Sequence, residues 1–321
     1  MQRIRIVEDP EECERIWNSV WPRKCLFDLW KVRECFAGSY KRRPCFLAAE
    51  NKGSIDGLLA LSWVEEEGYF AHFPGETWRS KTWLEQNKII AASPDIYSDL
   101  LESVPGPVHL RYLTRDSVQP EKPVAVDEVG YLFYPGSYEY SFQNYMMQFS
   151  GKSRKKLSRE LALLEQQGVA YRFDHADDIR LLFGMNLESF GEASYFYDPA
   201  FLDSFEKLVA WLFKENMLRI TTLLIGGTIA AVDVGAVWEK TYTVLAGATH
   251  PEFPGVAKMI NFHHLERSCR DRHDVVDFLC GDFGWKQRFH LTGRPLYELH
   301  IQPGKNITHG DEVPNVKVNE Q

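Results

Sequence analysis

Several things are scarce in this 321-residue sequence, and each scarcity excludes a class of protein. No uninterrupted apolar run approaches the ~18 residues of a membrane-spanning helix, so no membrane span is expected. The opening MQRIRIVEDPEECERIW turns acidic at once and lacks the apolar stretch of a secretion signal, which reads as a cytoplasmic protein. Cys13, Cys25, Cys35, Cys45, Cys269 and Cys280 include no C-x-x-C pair. That spacing matches no zinc template and predicts reduced thiols without a bound metal. His263 and His264 are adjacent and would face different sides of a helix, so they suggest no metal site either. Positive charge is in deficit, with 37 Lys and Arg against 45 Asp and Glu. The resulting net charge of −8 counts against DNA as a partner and, less strongly, against tRNA. Gly151-Lys152-Ser153 matches the end of a phosphate-binding loop, but the glycine required five residues before Gly151 is Met146, and the residues between read as helix. Nucleoside triphosphate binding is excluded on that ground. No Ser–His or Cys–His signature marks a covalent nucleophile.

What is present is an ordinary globular composition, 44% hydrophobic, on a chain long enough for about two domains. In the first half, periodicity predicts a strand at 3–7 and a helix at 10–20, with Asp9 as cap and Pro10 in the first turn. A helix at 27–36 and a hairpin of 45–50 with 55–63 follow. Strand and loop are expected at 69–78, helices at 82–91 and 94–102, and a strand at 108–112. Residues 116–129, with Pro120 and Pro123, read as a linker before a strand at 131–134. The second half predicts helices at 141–149 and 152–167, a strand at 169–174, and helices at 176–190 and 199–215. A hairpin of 218–225 with 228–238 turns on Gly226-Gly227. A strand at 241–250, a helix at 255–270 and a strand at 275–279 complete it. Both halves run strand, helices, long hairpin ending near a tryptophan (Trp63, Trp238), then a further strand. That shared order predicts an internal duplication in an α/β chain with a mixed sheet.

Four stretches carry chemistry. HPEFPGVAK (250–258) joins a strand to a helix through small residues, Gly255 and Ala257. The free first-turn amides of such a helix make an anion site, although an ordinary turn has the same composition. VVDFLCGDFGWKQRF (275–289) breaks at Gly281 and Gly284 and gathers Asp277, Asp282, Trp285 and Lys286. Strand ends that run into permissive loops are where α/β proteins keep their chemistry. Lys152, Arg154, Lys155, Lys156 and Arg159 crowd a helix N-terminus, which calls for an anionic partner, nearby carboxylates or plain solvation. Phe190, Tyr195, Phe196 and Tyr197 lie between helices, as cleft or as core.

Taken in order, GKSRKKLSRELALLEQQG, HPEFPGVAKMI and above all VDFLCGDFGWKQRF resemble the GNAT acyltransferase superfamily over about residues 143–294. The branch resembled is that of BioF2-like or CelD-like acetyltransferases, relatives of the FemABX aminoacyltransferases. The resemblance implies tandem GNAT-like domains: a degenerate one at 1–130, an acyltransferase domain at 131–305 and a tail at 306–321. It implies acyl-CoA as co-substrate, its pyrophosphate on Gly255, Val256, Ala257 and Lys258 and its pantetheine arm along the strand containing Leu245 and Gly247. Lys286 would supply positive charge to the tetrahedral oxyanion, with Asp282 and Asp277 orienting it or deprotonating an amine. The bland alternative makes Asp277 a strand-end cap and Lys286 a surface ion pair. Trp285, Tyr242, Tyr195 and Arg154 would face substrate. Two positions depart from the family pattern: Glu252 where Gln or Arg is usual, and Trp285 where Tyr is frequent. The implied reaction moves an acetyl or longer acyl group by direct attack onto an amine or hydroxyl of a small molecule or cell-envelope precursor. A Fem-like transferase using aminoacyl-tRNA and a non-catalytic binding scaffold are the alternatives.

Overall fold

The computed structural model describes residues 3–119, 124–281 and 284–302. Strand β1 (Arg3–Val7) leads to α1 (Pro10–Val20), which Asp9 starts by accepting the Glu12 amide at 2.9 Å. After α2 (Trp30–Tyr40) come β2 (Pro44–Asn51), β3 (Ser54–Val64) and β4 (Tyr69–His72). The helix expected at 82–91 does not form; the segment is irregular and ends in β5 (Ile90–Ala91). The cause is tertiary: Gln86 adopts φ 59°, and the Asn87 amide, which a helix would aim at the Trp83 carbonyl, donates instead to the Tyr112 carbonyl of β6 at 2.9 Å, while Glu76 holds the Trp83 and Leu84 amides at 2.7 and 2.8 Å.

The chain continues through α3 (Pro94–Glu102), β6 (Val108–Leu113) and β7 (Ala125–Phe133). The last five residues of the expected linker, 125–129, are therefore strand, and 120–123 lie outside the described residues. Next are α4 (Phe142–Met146), the basic helix α5 (Gly151–Glu165), β8 (Val169–Phe173), α6 (Asp178–Phe190) and α7 (Pro199–Lys214). The Gly-Gly hairpin forms as expected from β9 (Leu218–Ile225) and β10 (Thr228–Trp238). Then come β11 (Thr241–Thr249), α8 (Val256–Arg270), β12 (Val275–Asp277), the single turn α9 (Trp285–Arg288) and β13 (Thr292–Ile301).

All thirteen strands join one mixed sheet in the order β1-β2-β3-β4-β6-β13-β7-β12-β11-β10-β9-β8, with β5 on the edge of β3. The order contains two arrays of six strands with one design. Each runs through three antiparallel neighbours to a parallel contact (β4 with β6, β11 with β12) and ends on an antiparallel sixth strand. The sixth strands are exchanged. The last strand, β13, completes the first array beside β6, while β7 completes the second beside β12. β13 and β7 then pair with each other, so the sheet is continuous, and position 130/131 lies inside β7.

The arrays also share a core. Phe36 of α2 packs edge-on against Phe201 of α7, and Phe205, Val232 and Val234 are fully buried beside them. Truncating Phe205 to alanine in such surroundings costs about 3–5 kcal/mol. The six cysteines are free thiols, and no helix among the described residues is long and apolar enough to cross a membrane.

Candidate active site

The site begins where two strands part. β11 and β12 pair only from Thr241↔Val275 to Thr243↔Asp277. β12 then stops, because Leu279 adopts φ 56° and the Asp277 carboxylate caps its amide at 2.9 Å. β11 runs on to Thr249, and beyond Thr243 that edge has no ladder partner among the described residues. A cleft of about 620 Å³ occupies the gap. Its walls are Leu245 and Gly247 of β11, Ala257 of α8, Trp285 and the chain from Phe278 to Gly281, and Tyr195 from the far side. Thr82, Trp83, Glu85, Tyr112 and Glu128 close it from the first array and β7. Gly247 is obligatory for space: an added Cβ would lie 2.3 Å from Oδ1 of Asp233, which leans over it from β10.

Glu85 is the most unusual group in the cleft. It is 4% exposed, and the Cys280 amide donates to Oε1 at 2.7 Å. Its Oε2 is buried without a hydrogen-bond partner. Burial first, and then the charge of Asp277, push its pKa up to about 7. The carboxyl therefore titrates near neutrality and has an oxygen available for a proton. Glu76 fixes the chain leading to it through the Trp83 and Leu84 amides. Next to it, burial and Glu85 push the Cys280 thiol far up, so this cysteine is held protonated and is no thiolate nucleophile.

Lys286 is buried rather than on the surface. Its Nζ donates to the carbonyls of Phe278, Leu279 and Cys280 at 2.9, 2.8 and 2.8 Å, and burial lowers its pKa. Three carbonyls engage the three donors of an ammonium, so Lys286 pins the turn after β12. Asp277 is equally occupied: besides capping Leu279, it accepts from Gln86 Nε2 and Arg294 Nη2, each at 3.0 Å. It lies behind Glu85 and does not line the cleft. Asp282 lies outside the described residues.

The other expected site residues divide. Leu245, Gly247, Ala257, Trp285 and Tyr195 meet at the cleft. Gly255, at φ 92°, opens α8 without a side-chain cap, and Val256 is buried beneath the turn. Lys258 pairs with Glu160 of α5, which brings the basic helix beside the start of α8. Tyr242 lies in the covered part of β11 and turns away: its hydroxyl meets His264 Nδ1 at 3.3 Å, at a second pocket of about 250 Å³. Arg154 sits on the exposed face of α5 beside Met147, off the cleft walls.

Sequence reading missed Glu85, Tyr112, Glu128 and Asp233. Glu85 has no motif and lay in an expected helix. Asp233 did leave a signal, a lone charge within the apolar strand TIAAVDVGAVW. It lines the cleft, and its Oδ2 lies 2.8 Å from Nε2 of the buried His264, so a hydrogen-bonded chain Asp233–His264–Tyr242 runs from the cleft to the second pocket.

Residues 151–287 match the family model of the acetyltransferase (GNAT) domain. A search of curated proteins finds no match. Among solved structures, a conserved protein of unknown function from Bacteroides thetaiotaomicron VPI-5482 is similar at 12% identity and TM-score 0.57, over 94% of this chain and 100% of that one. L-PGS from Bacillus licheniformis is similar at 10% identity and TM-score 0.57, over 94% of each chain. FemX is similar at 9% identity and TM-score 0.56, over 92% of this chain and 96% of that one. At these identities the likeness is one of fold. The segment that holds the open edge of β11, the start of α8 and the Lys286 turn is the one matched by the GNAT-type acetyltransferase domain.

Proposed function

We propose that this protein transfers an acyl group, acetyl or longer, from a coenzyme A thioester to an amine or hydroxyl by direct attack. The observation that carries the reading is the parting of β11 and β12 above a cleft that holds the half-partnered carboxyl of Glu85. A pantetheine arm is an amide-bearing chain, and an open strand edge pairs with such chains as with an added strand. The pyrophosphate falls to the uncapped start of α8 at Gly255, with the cations of α5 and Lys258 close by. Glu252, on the turn before α8, opposes that charge and weakens donor binding.

The acceptor enters past Tyr195 and meets Glu85. The carboxylate takes the proton of the attacking amine or hydroxyl as the new bond to the thioester carbonyl forms. The tetrahedral intermediate collapses by breaking the carbon–sulfur bond, and the thiolate takes a proton from water. Tyr112 borders the cleft, with its hydroxyl 3.3 Å from Glu128 Oε1, but burial pushes this phenol far above its ordinary range and makes it a poor acid. Lys286 is a positioning residue: it holds the Leu279 carbonyl, in the same peptide unit as the Cys280 amide that in turn holds Glu85. Asp277 acts at one further remove, by raising the pKa of Glu85. On this reading residues 1–130 and 131–305 are two GNAT-like domains, the first supplying the base and the second the donor site. The setting is the cytoplasm, where thiols stay reduced, and the acceptor is a small molecule or a cell-envelope precursor.

A thermal-shift screen tests the reading with acetyl-CoA, a long-chain acyl-CoA and aminoacyl-tRNA, because a ligand of the native state raises its melting temperature. A rise with an acyl-CoA, lost in Gly255→Glu, is the expected result. A rise with aminoacyl-tRNA alone transfers the donor to the Fem-like alternative. No rise with any of the three leaves a binding scaffold.

A further inference from the structure

Away from the cleft, the junction between the exchanged strand and the first array carries a second cluster. His109 of β6 and His300 of β13 are direct cross-strand partners, and Glu298 lies two residues before His300 on the same face. One carboxylate oxygen, Glu298 Oε2, lies 3.2 Å from Nε2 of His109 and 3.1 Å from Nε2 of His300. The two imidazoles stack with centroids 3.8 Å apart, and the three potential ligand atoms all lie within 4.8 Å of one another. Tyr69 packs edge-on against His109 at 5.2 Å and limits its rotation. Because the three residues come together across strands, no local spacing in the sequence announces them.

We propose that His109, Glu298 and His300 form a binding site for a divalent transition-metal ion of the zinc type, which fastens the exchanged strand β13 to the first array. Metal–ligand bonds of about 2.0–2.1 Å in a tetrahedron set neighbouring ligand atoms roughly 3.4 Å apart. Two of the three edges already have nearly that length. The donor set, two imidazoles and one carboxylate, suits zinc and its neighbours and not magnesium, which takes oxygen ligands. Three protein ligands leave a position for water, and His300 is exposed enough for an ion to enter from solvent. The ion would replace two weak N–H···O contacts by bonds that tie β13 to β6 near the C-terminal end of β13. This inference does not depend on the acyl-transfer reading.

The test is calorimetric titration of ZnCl₂ into the full, tag-free chain after chelator treatment, with melting temperature followed in parallel. A single saturable ion per chain and a raised melting temperature are expected, with no response to MgCl₂. His109→Ala and His300→Ala should each weaken binding by about tenfold or more, and Glu298→Gln should weaken it without changing side-chain volume. His300 is exposed and His109 and Glu298 are half-buried, so the variants are expected to keep the fold. His300→Gln serves in place of His300→Ala if circular dichroism shows otherwise. Absence of saturable zinc binding in the wild type, or undiminished binding in the His109→Ala/His300→Ala double variant, overturns the proposal.

Discussion

Both six-strand arrays part their fourth and fifth strands, yet only one gap is open. In the second array the gap between β11 and β12 is the cleft of about 620 Å³. In the first, β4 and β6 touch at the single parallel pair Phe70↔Val108, and the space beside them is only about 20 Å³. The difference is the chain's own segment between β4 and β5. Gly75, Glu76, Thr82 and Asn87 line what remains of the gap. Asn87 exchanges backbone hydrogen bonds with Tyr112 and Thr114, each at 2.9 Å, and so adds itself to the edge of β6 beside the gap. The same segment continues to Glu85 and delivers it into the other array's cleft. Plugging one site and equipping the other are thus one structural event.

The largest expected effect tests whether the plug is also the base. Glu85→Gln keeps the acceptor for the Cys280 amide and removes the proton acceptor. Turnover should fall by about 10²–10⁴ while acyl-CoA affinity stays level. Stability gives an independent readout. With a folded pKa near 7 against an ordinary 4.5, Glu85 stays protonated in the native state while the unfolded chain ionises. Wild-type stability should therefore decline between those two values, and the variant should lose that decline. The full difference is about 3 kcal/mol above neutrality, measured by urea unfolding across pH. A normal rate in Glu85→Gln would leave the segment as a plug and nothing more.

Next in size is making the second gap resemble the first. Ala246→Trp places an indole in the cleft from β11. Acyl-CoA affinity should drop by roughly 100-fold or more with the melting temperature nearly unchanged, since the cleft is empty space and not core. Lys286→Met follows. It strands three carbonyls that now share one ammonium, at a cost of about 2–4 kcal/mol in urea unfolding. Turnover should fall with it as the Cys280 amide releases Glu85. A loss of turnover with no loss of stability would return Lys286 to direct contact with the reacting atoms.

Much of one array was legible in the sequence and little of the relation between the two. The Gly226-Gly227 hairpin, the Asp9-Pro10 helix start and the cleft positions Leu245, Gly247, Ala257 and Trp285 follow from local turn chemistry, periodicity and the family resemblance. The exchanged strands did not, because β7 follows two prolines and finds its partners in β12 and β13 at the far end of the chain. Residues 82–91 misled because Gln86 turns to φ 59° and Asn87 pairs with the distant strand β6, which helix periodicity cannot foresee. Glu85 was invisible for the same reason: its environment comes from Cys280 and Asp277, and nothing near position 85 encodes them. Tyr242 shows the limit in the other direction, since the strand was placed correctly but β12 still covers it there, and its side chain turned to His264.

The smallest effect, and the sharpest probe of how the two arrays communicate, is a shift in a pH profile. Asp277 of β12 raises the pKa of Glu85, and Arg294 of β13, which pairs with Asp277, lowers it. Asp277→Asn keeps an oxygen for the Leu279 amide, removes the negative charge and leaves Arg294 unneutralised. Both changes favour ionised Glu85. If ionised Glu85 is the base, the rising limb of kcat/KM should move from near 7 to lower pH by about one unit or less, with the alkaline plateau little altered. Arg294→Met removes a cation and should move the limb the other way. Opposite shifts from two residues that do not line the cleft would follow from charge acting on Glu85, whereas a merely structural role would lower the plateau in both variants and move neither limb. Shifts in the same direction, or none, would remove Glu85 as the titrating group and leave Asp233 and Glu128, the other carboxylates that line the cleft, to be tested in its place.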